Sequence, residues 1–123
     1  MIRFAGYAAV FDCPDRGGDV IRKGAFGDVG AVPLLWQHRG APVGTIEAIG
    51  EDTRGLRVVG AVTDPELAAL VLSGGVDGLS FGYRAVEARQ GARRELRRVE
   101  LVEVSLVAQP MQPHARVHAV ESG

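Results

Sequence analysis

Three side chains in this sequence carry chemistry that depends on partners: Ser80, His38 and Glu103. Ser80 sits in Val76-Asp77-Gly78-Leu79-Ser80-Phe81-Gly82-Tyr83, with glycine two residues before it and two after. That spacing matches the hydrolase nucleophile elbow, in which a serine hydroxyl attacks a carbonyl. The elbow joins a strand to a helix and places its histidine after the serine. Here the flanks read as a loop entering a strand, and His38 precedes Ser80, so the α/β-hydrolase reading fails. What survives is the effect of small neighbours, which expose a hydroxyl and let backbone approach it closely. A plain turn-and-strand serine between glycines fits the same residues.

His38 follows the apolar run Val32-Pro33-Leu34-Leu35-Trp36 and precedes Arg39-Gly40, which places it at a strand end. An imidazole there can move protons if other groups converge on it; otherwise it is structural or exposed. His114 and His118 fall in the proline-containing tail. Glu103 interrupts the apolar stretch Leu101-Val102-Glu103-Val104-Ser105-Leu106-Val107. Strand alternation puts it on one face with Leu101 and Ser105, opposite Val102, Val104 and Leu106. On a solvated face it is the polar side of an edge strand. In a buried cleft it needs a partner, and an imidazole would serve. No pair of His or Cys has metal-site spacing, and neither a metal nor a cofactor is expected. Cys13 is the only cysteine, so it has no internal disulfide partner. Its neighbours Asp12 and Asp15 disfavour a reactive thiolate.

These groups must be positioned by a chain of 123 residues, which is the size of one domain, and residues 1–123 are read as such. Hydrophobic residues are 46% and charged residues 24%, an ordinary globular balance. The net charge of -1 gives no reason to expect nucleic acid or an acidic membrane as a partner. No apolar run approaches the roughly 20 residues of a membrane helix, and no signal peptide is evident. The cytoplasm is the simplest location. Seventeen Gly and six Pro favour short strands joined by tight turns.

Ile2 to Phe11 reads as a strand, Val20-Ile21-Arg22 as a short extended piece, and Val32 to His38 as a short buried strand. Arg39-Gly40-Ala41-Pro42 reads as a turn, and Val43–Glu51 with Leu56–Val62 as a hairpin. Asp64-Pro65-Glu66 opens the one clear helix, with Asp as N-cap and Pro at the first position, and Ser73-Gly74-Gly75 ends it. Leu79–Ala88 and Glu95–Ala108 read as two long strands joined by Arg89–Arg94, and Arg116–Val120 as a last strand. The sum is mainly β: an antiparallel β-barrel with one or two helices, since closure removes exposed strand edges.

Taken in order, several segments resemble the tailed-phage prohead (capsid maturation) protease family. They are Phe4-Ala5-Gly6-Tyr7-Ala8, Gly18-Asp19-Val20-Ile21, Gly24-Ala25-Phe26, Pro33-Leu34-Leu35-Trp36-Gln37-His38 and Pro42-Val43-Gly44. Gly55-Leu56, Gly78-Leu79-Ser80-Phe81-Gly82-Tyr83, Glu103-Val104-Ser105-Leu106-Val107, Pro110 and Pro113 continue the series. That family is similar to the herpesvirus assemblin proteases, whose fold is an antiparallel β-barrel with surrounding helices. The resemblance implies a serine endopeptidase with Ser80 as nucleophile and His38 as general base. For the third member it favours Glu103, although the assemblins use a second histidine, for which His114 or His118 are the candidates. By the same resemblance the oxyanion is held by main-chain N–H groups, at Gln109 and Met111. The implied substrates are the major capsid protein or a scaffold protein inside an immature shell, and a homodimer is implied by analogy. Composition fits a genome of high GC content, as in a prophage or gene transfer agent.

Two other readings fit the residues. One is an inactive barrel retained as a structural module of capsid assembly. The other is an unrelated ligand-binding barrel, which predicts no clustering of His38, Ser80 and Glu103.

Overall fold

The computed structural model describes residues 1–122. Eight strands and one helix follow in the order β1 (Ile2–Val10), β2 (Val20–Ile21), β3 (Leu34–Trp36), β4 (Arg39–Glu51), β5 (Gly55–Val62), α1 (Pro65–Ser73), β6 (Gly78–Gln90), β7 (Arg94–Val107) and β8 (Val117–Ser122). Buried alternation in β1 and β5 gives each an inward apolar face, and the two pair antiparallel from Ile2↔Val62 to Val10↔Gly55. The helix starts where Asp64 Oδ2 accepts from Leu67 N at 3.0 Å, with Pro65 just inside. It buries Leu67, Ala68 and Val71, and ends at Gly74, whose φ of 83° is left-handed.

All eight strands belong to one sheet, ordered β2-β7-β3-β4-β5-β1-β8, with β6 on β7. The long β6–β7 hairpin is antiparallel, but both β2 and β3 run parallel to β7. The expected antiparallel barrel is therefore corrected on two counts. The sheet is mixed, and it is not closed into a barrel: β6 meets the chain before β8 only through the isolated bridge Gly78↔Arg116. Parallel pairing arises because β3 reaches β7 from a distant part of the chain and not across a hairpin. One helix is present among the described residues.

A second difference lies at the β3–β4 connection. The glycine and proline of Arg39-Gly40-Ala41-Pro42 suggest a turn there, yet β4 already begins at Arg39. The turn is one step earlier. Trp36 pairs with Arg39, so Gln37 and His38 form a two-residue hairpin loop with φ of 55° and 64°. Two successive left-handed residues are the requirement of the tight turn that suits strand twist.

Leu34 anchors this region. It is fully buried and sits between Gly44 of β4 and Val104 of β7. Leu34→Ala is expected to cost about 2–5 kcal/mol of stability, read as a lowered midpoint in urea unfolding. A loss below 1 kcal/mol would mean that β3 is not fixed by packing.

Candidate active site

The register between β6 and β7 fixes the floor of the site. Ser80 pairs with Ser105, and Gly82 pairs with Glu103, so these four positions share one face of the hairpin. On the other edge of β7, Leu35 of β3 lies beside Ser105. The tight turn after Trp36 then swings His38 over that face. His38 Nδ1 lies 2.5 Å from Glu103 Oε1. Glu103 Oε2 accepts from Ser105 Oγ at 2.6 Å. The expectation left open for Glu103 is thereby resolved: its side chain is 8% exposed and is paired with an imidazole.

With Glu103 as a carboxylate and the ring neutral, Nδ1–H donates to Glu103 Oε1 and Nε2 is left as an acceptor. The His38 side chain is 42% exposed, against 8% for Glu103. The pair is thus closed on the acid side and open on the base side.

Two left-handed non-glycine residues cost about 1–2 kcal/mol each, and the surroundings hold them in place. Gln37 N donates to Leu106 O at 3.0 Å, and His38 N donates to Ser105 Oγ at 3.0 Å. The Gln37 side chain accepts from Ala108 N at 2.9 Å, which ties the turn to the segment after β7.

Ser80 is buried to 6% exposure but lines an open cleft of about 500 Å³ together with Gln37, His38, Arg39, Val107, Ala108, Gln109 and Met111. No hydrogen bond joins Ser80 Oγ to His38 among the described residues. Ser80 also lines a second, more enclosed hollow of about 130 Å³, walled by Asp15, Asp19, Ile21, Phe81, Tyr83 and Leu96, among others. Burial pushes the Tyr83 phenol above its ordinary value there, and the Asp19 charge adds to the effect.

Gln109 and Met111 both border the cleft, and no hydrogen bond to their main-chain N–H groups occurs among the described residues. Between them Pro110 is buried, and Gln112 clamps the segment to the end of β1. Gln112 Oε1 accepts from Val10 N at 2.9 Å, while its Nε2 donates to Val10 O at 2.8 Å and Cys13 O at 3.2 Å. His114 and His118 are exposed and border neither hollow beside Ser80; the His118 ring packs on Tyr7 at 5.9 Å between centroids. Among the described residues no group of three or more His, Cys, Asp or Glu is placed to hold a metal. No helix there is long and apolar enough to cross a membrane.

The glycines around Ser80 have specific occupants. A Cβ on Gly82 would fall inside contact distance of Glu103 Oε1 and 3.0 Å from its Cγ and Cδ. A Cβ on Gly78 would lie 2.6 Å from Val107 O and 2.9 Å from Pro110 Cδ. Gly82 therefore makes room for the carboxylate, and Gly78 for the chain leaving β7. Sequence reasoning missed Gln37, Ser105 and Gln112 as site-building residues. The Glu-x-Ser spacing on one strand face was the available signal for Ser105.

The fold is shared with herpesvirus proteases. Kaposi's sarcoma herpesvirus (KSHV) protease in complex with a hexapeptide phosphonate inhibitor superposes with a TM-score of 0.66 at 17% identity, over 99% of this chain and 65% of that one. The same viral protease in complex with an allosteric inhibitor gives 0.60 at 17% identity, over 100% and 78%. The profile of the caudovirus prohead serine protease family matches residues 1–123, and the chain belongs to that family. The prohead protease of Enterobacteria phage HK97 is 36% identical in a 92-residue alignment that covers 65% of this chain and 41% of that protein. The chain thus spans about two-fifths of the length of this curated relative.

Gly82→Ala tests the cradle. The added methyl meets a buried carboxylate whose two oxygens are both hydrogen-bonded, so the free energy of unfolding in urea is expected to fall by about 1–3 kcal/mol. The downfield ring N–H resonance of the His38–Glu103 bond is expected to disappear. Its persistence would show that Glu103 does not need the glycine.

Proposed function

We propose that residues 1–123 form one catalytic domain, a serine endopeptidase that cleaves capsid or scaffold protein within an assembling phage-like prohead. Ser80 is the nucleophile, His38 the general base and Glu103 the acid that orients it. The observation that carries the reading is the 2.5 Å contact between His38 Nδ1 and Glu103 Oε1 beside a cleft that Ser80 also lines. Family membership supports the substrate class.

The chemistry follows from where protons can go. With Nδ1–H donated to Glu103, Nε2 accepts the Ser80 proton as Oγ attacks a peptide carbonyl carbon. The imidazolium so formed is stabilised by the buried carboxylate and gives its proton to the leaving amine. Water then attacks the acyl-enzyme by the same route in reverse. The carbonyl oxygen becomes an oxyanion, which needs fixed donors worth roughly 3–4 kcal/mol each. The unengaged N–H groups of Gln109 and Met111 at the cleft rim support their assignment to that task. The enclosed hollow beyond Ser80 is placed to take a substrate side chain.

In apo enzymes the nucleophile–base hydrogen bond is often long and tightens with substrate, so its absence here fits the reading. A fluorophosphonate probe is expected to label the protein at Ser80 and to fail on Ser80→Ala. His38→Ala is expected to lower cleavage of a co-expressed capsid protein by about 10⁶-fold and Glu103→Ala by about 10⁴-fold, as for comparable triads. A folded protein that is never labelled, alone or in assembling shells, would instead support the inactive structural module.

A further inference from the structure

We propose that Ser105 is a positioning residue that holds the base and the acid in register through one hydroxyl. This rests on reading Ser80, His38 and Glu103 as a triad. Ser105 is fully buried. Its hydroxyl donates to Glu103 Oε2 at 2.6 Å and accepts from His38 N at 3.0 Å. The third side of the ring is the 2.5 Å contact between His38 Nδ1 and Glu103 Oε1. Three hydrogen bonds therefore close a loop that contains only these three residues.

Each direction in that loop is forced. A main-chain amide only donates, so the Ser105 oxygen must accept from His38 N. The hydroxyl has one proton, and it goes to Glu103 Oε2, which can only accept while ionised. The terminal torsion of a glutamate is soft and roughly two-fold. With Oε2 held by Ser105, the carboxyl plane is fixed and Oε1 is presented to Nδ1. The amide bond does the second half of the work, because His38 sits at φ 64°, which a non-glycine residue leaves readily when unsupported. Neither bond belongs to the strand ladder. An alanine would fill the same place in β7, leaving the buried Oε2 without that donor and the His38 N–H without its acceptor.

The test compares the wild type with Ser105→Ala, Ser105→Thr and Ser105→Cys, using Ser80→Ala as the blank. Two quantities are read: the rate of fluorophosphonate labelling, and the downfield His38 ring N–H resonance. Unfolding in urea establishes that each variant is folded. Ser105→Ala is expected to label about 10–100-fold more slowly, the range for loss of a group that orients a functional side chain. Its ring N–H signal is expected to move or broaden. Ser105→Thr keeps the hydroxyl and is expected to restore most of both. If Ser105→Ala does not fold, the near-isosteric Ser105→Cys, a weak donor, takes its place with the same expectation.

A folded Ser105→Ala with wild-type labelling and an unchanged resonance would overturn the proposal. So would a folded Ser105→Thr as impaired as Ser105→Ala, since packing would then explain both. If the wild type is never labelled, the triad reading fails separately. The ring resonance still decides whether Ser105 positions the His38–Glu103 pair.

Discussion

A carboxylate enclosed by an apolar strand is the constraint around which this structure is arranged. Removing Glu103 from water would cost several kcal/mol if its oxygens were left bare. Both are used, one by an imidazole and one by a hydroxyl. Meeting that requirement dictates the neighbours. The strand on one side of β7 must carry a glycine opposite the carboxylate. The strand on the other side must end in a turn tight enough to fold a histidine back over it. The left-handed pair Gln37–His38 is what such a turn demands of residues that do not favour it.

The mixed sheet explains how three remote segments reach one place. Because β3 runs parallel to β7, both strands leave the sheet at the same end. Because β6 runs antiparallel to β7, it enters there. The exit of β3 delivers His38, the entry of β6 delivers Ser80, and the exit of β7 delivers Glu103 and the segment bearing Gln109 and Met111. An antiparallel β3 would have carried its C-terminal turn to the opposite end of β7. The parallel neighbour that breaks the expected barrel pattern is thus the feature that assembles the site.

Much of this was legible from residue patterns. Residue type located β1, loose alternation the β4–β5 hairpin, and Asp64-Pro65 with Gly74 bounded α1 almost to the residue, because caps are local chemistry. The clustering of His38 with Glu103 was reached through ordered resemblance to a family. Strand period alone left Glu103 open between solvent and cleft, since alternation names a face but not what covers it. The turn was misplaced because Gly40 and Pro42 are stronger turn signals than Gln37-His38, whose left-handed backbone is held by Ser105, Leu106 and Ala108 across the sheet. Barrel closure was misjudged for the same reason. Patterns report how deeply a strand is buried and are silent about which edge meets which.

The glycine spacing around Ser80 shows how one motif can arise from different physics. In a nucleophile elbow the glycines permit a sharp strand-to-helix turn. In β6 the chain runs on as a strand, and each glycine instead yields space to a group from β7 or beyond. Gly78 admits Val107 and Pro110, while Gly82 admits Glu103. Since Gly82 pairs with Glu103 and Ser80 with Ser105, the two-residue step from serine to glycine on β6 mirrors the two-residue step from Ser105 to Glu103 on β7. The second glycine therefore marks where the acid lies across the hairpin. A serine and a glycine two apart on one strand, facing a serine and a glutamate two apart on its partner, amount to a cross-strand arrangement whose separate halves carry little meaning alone.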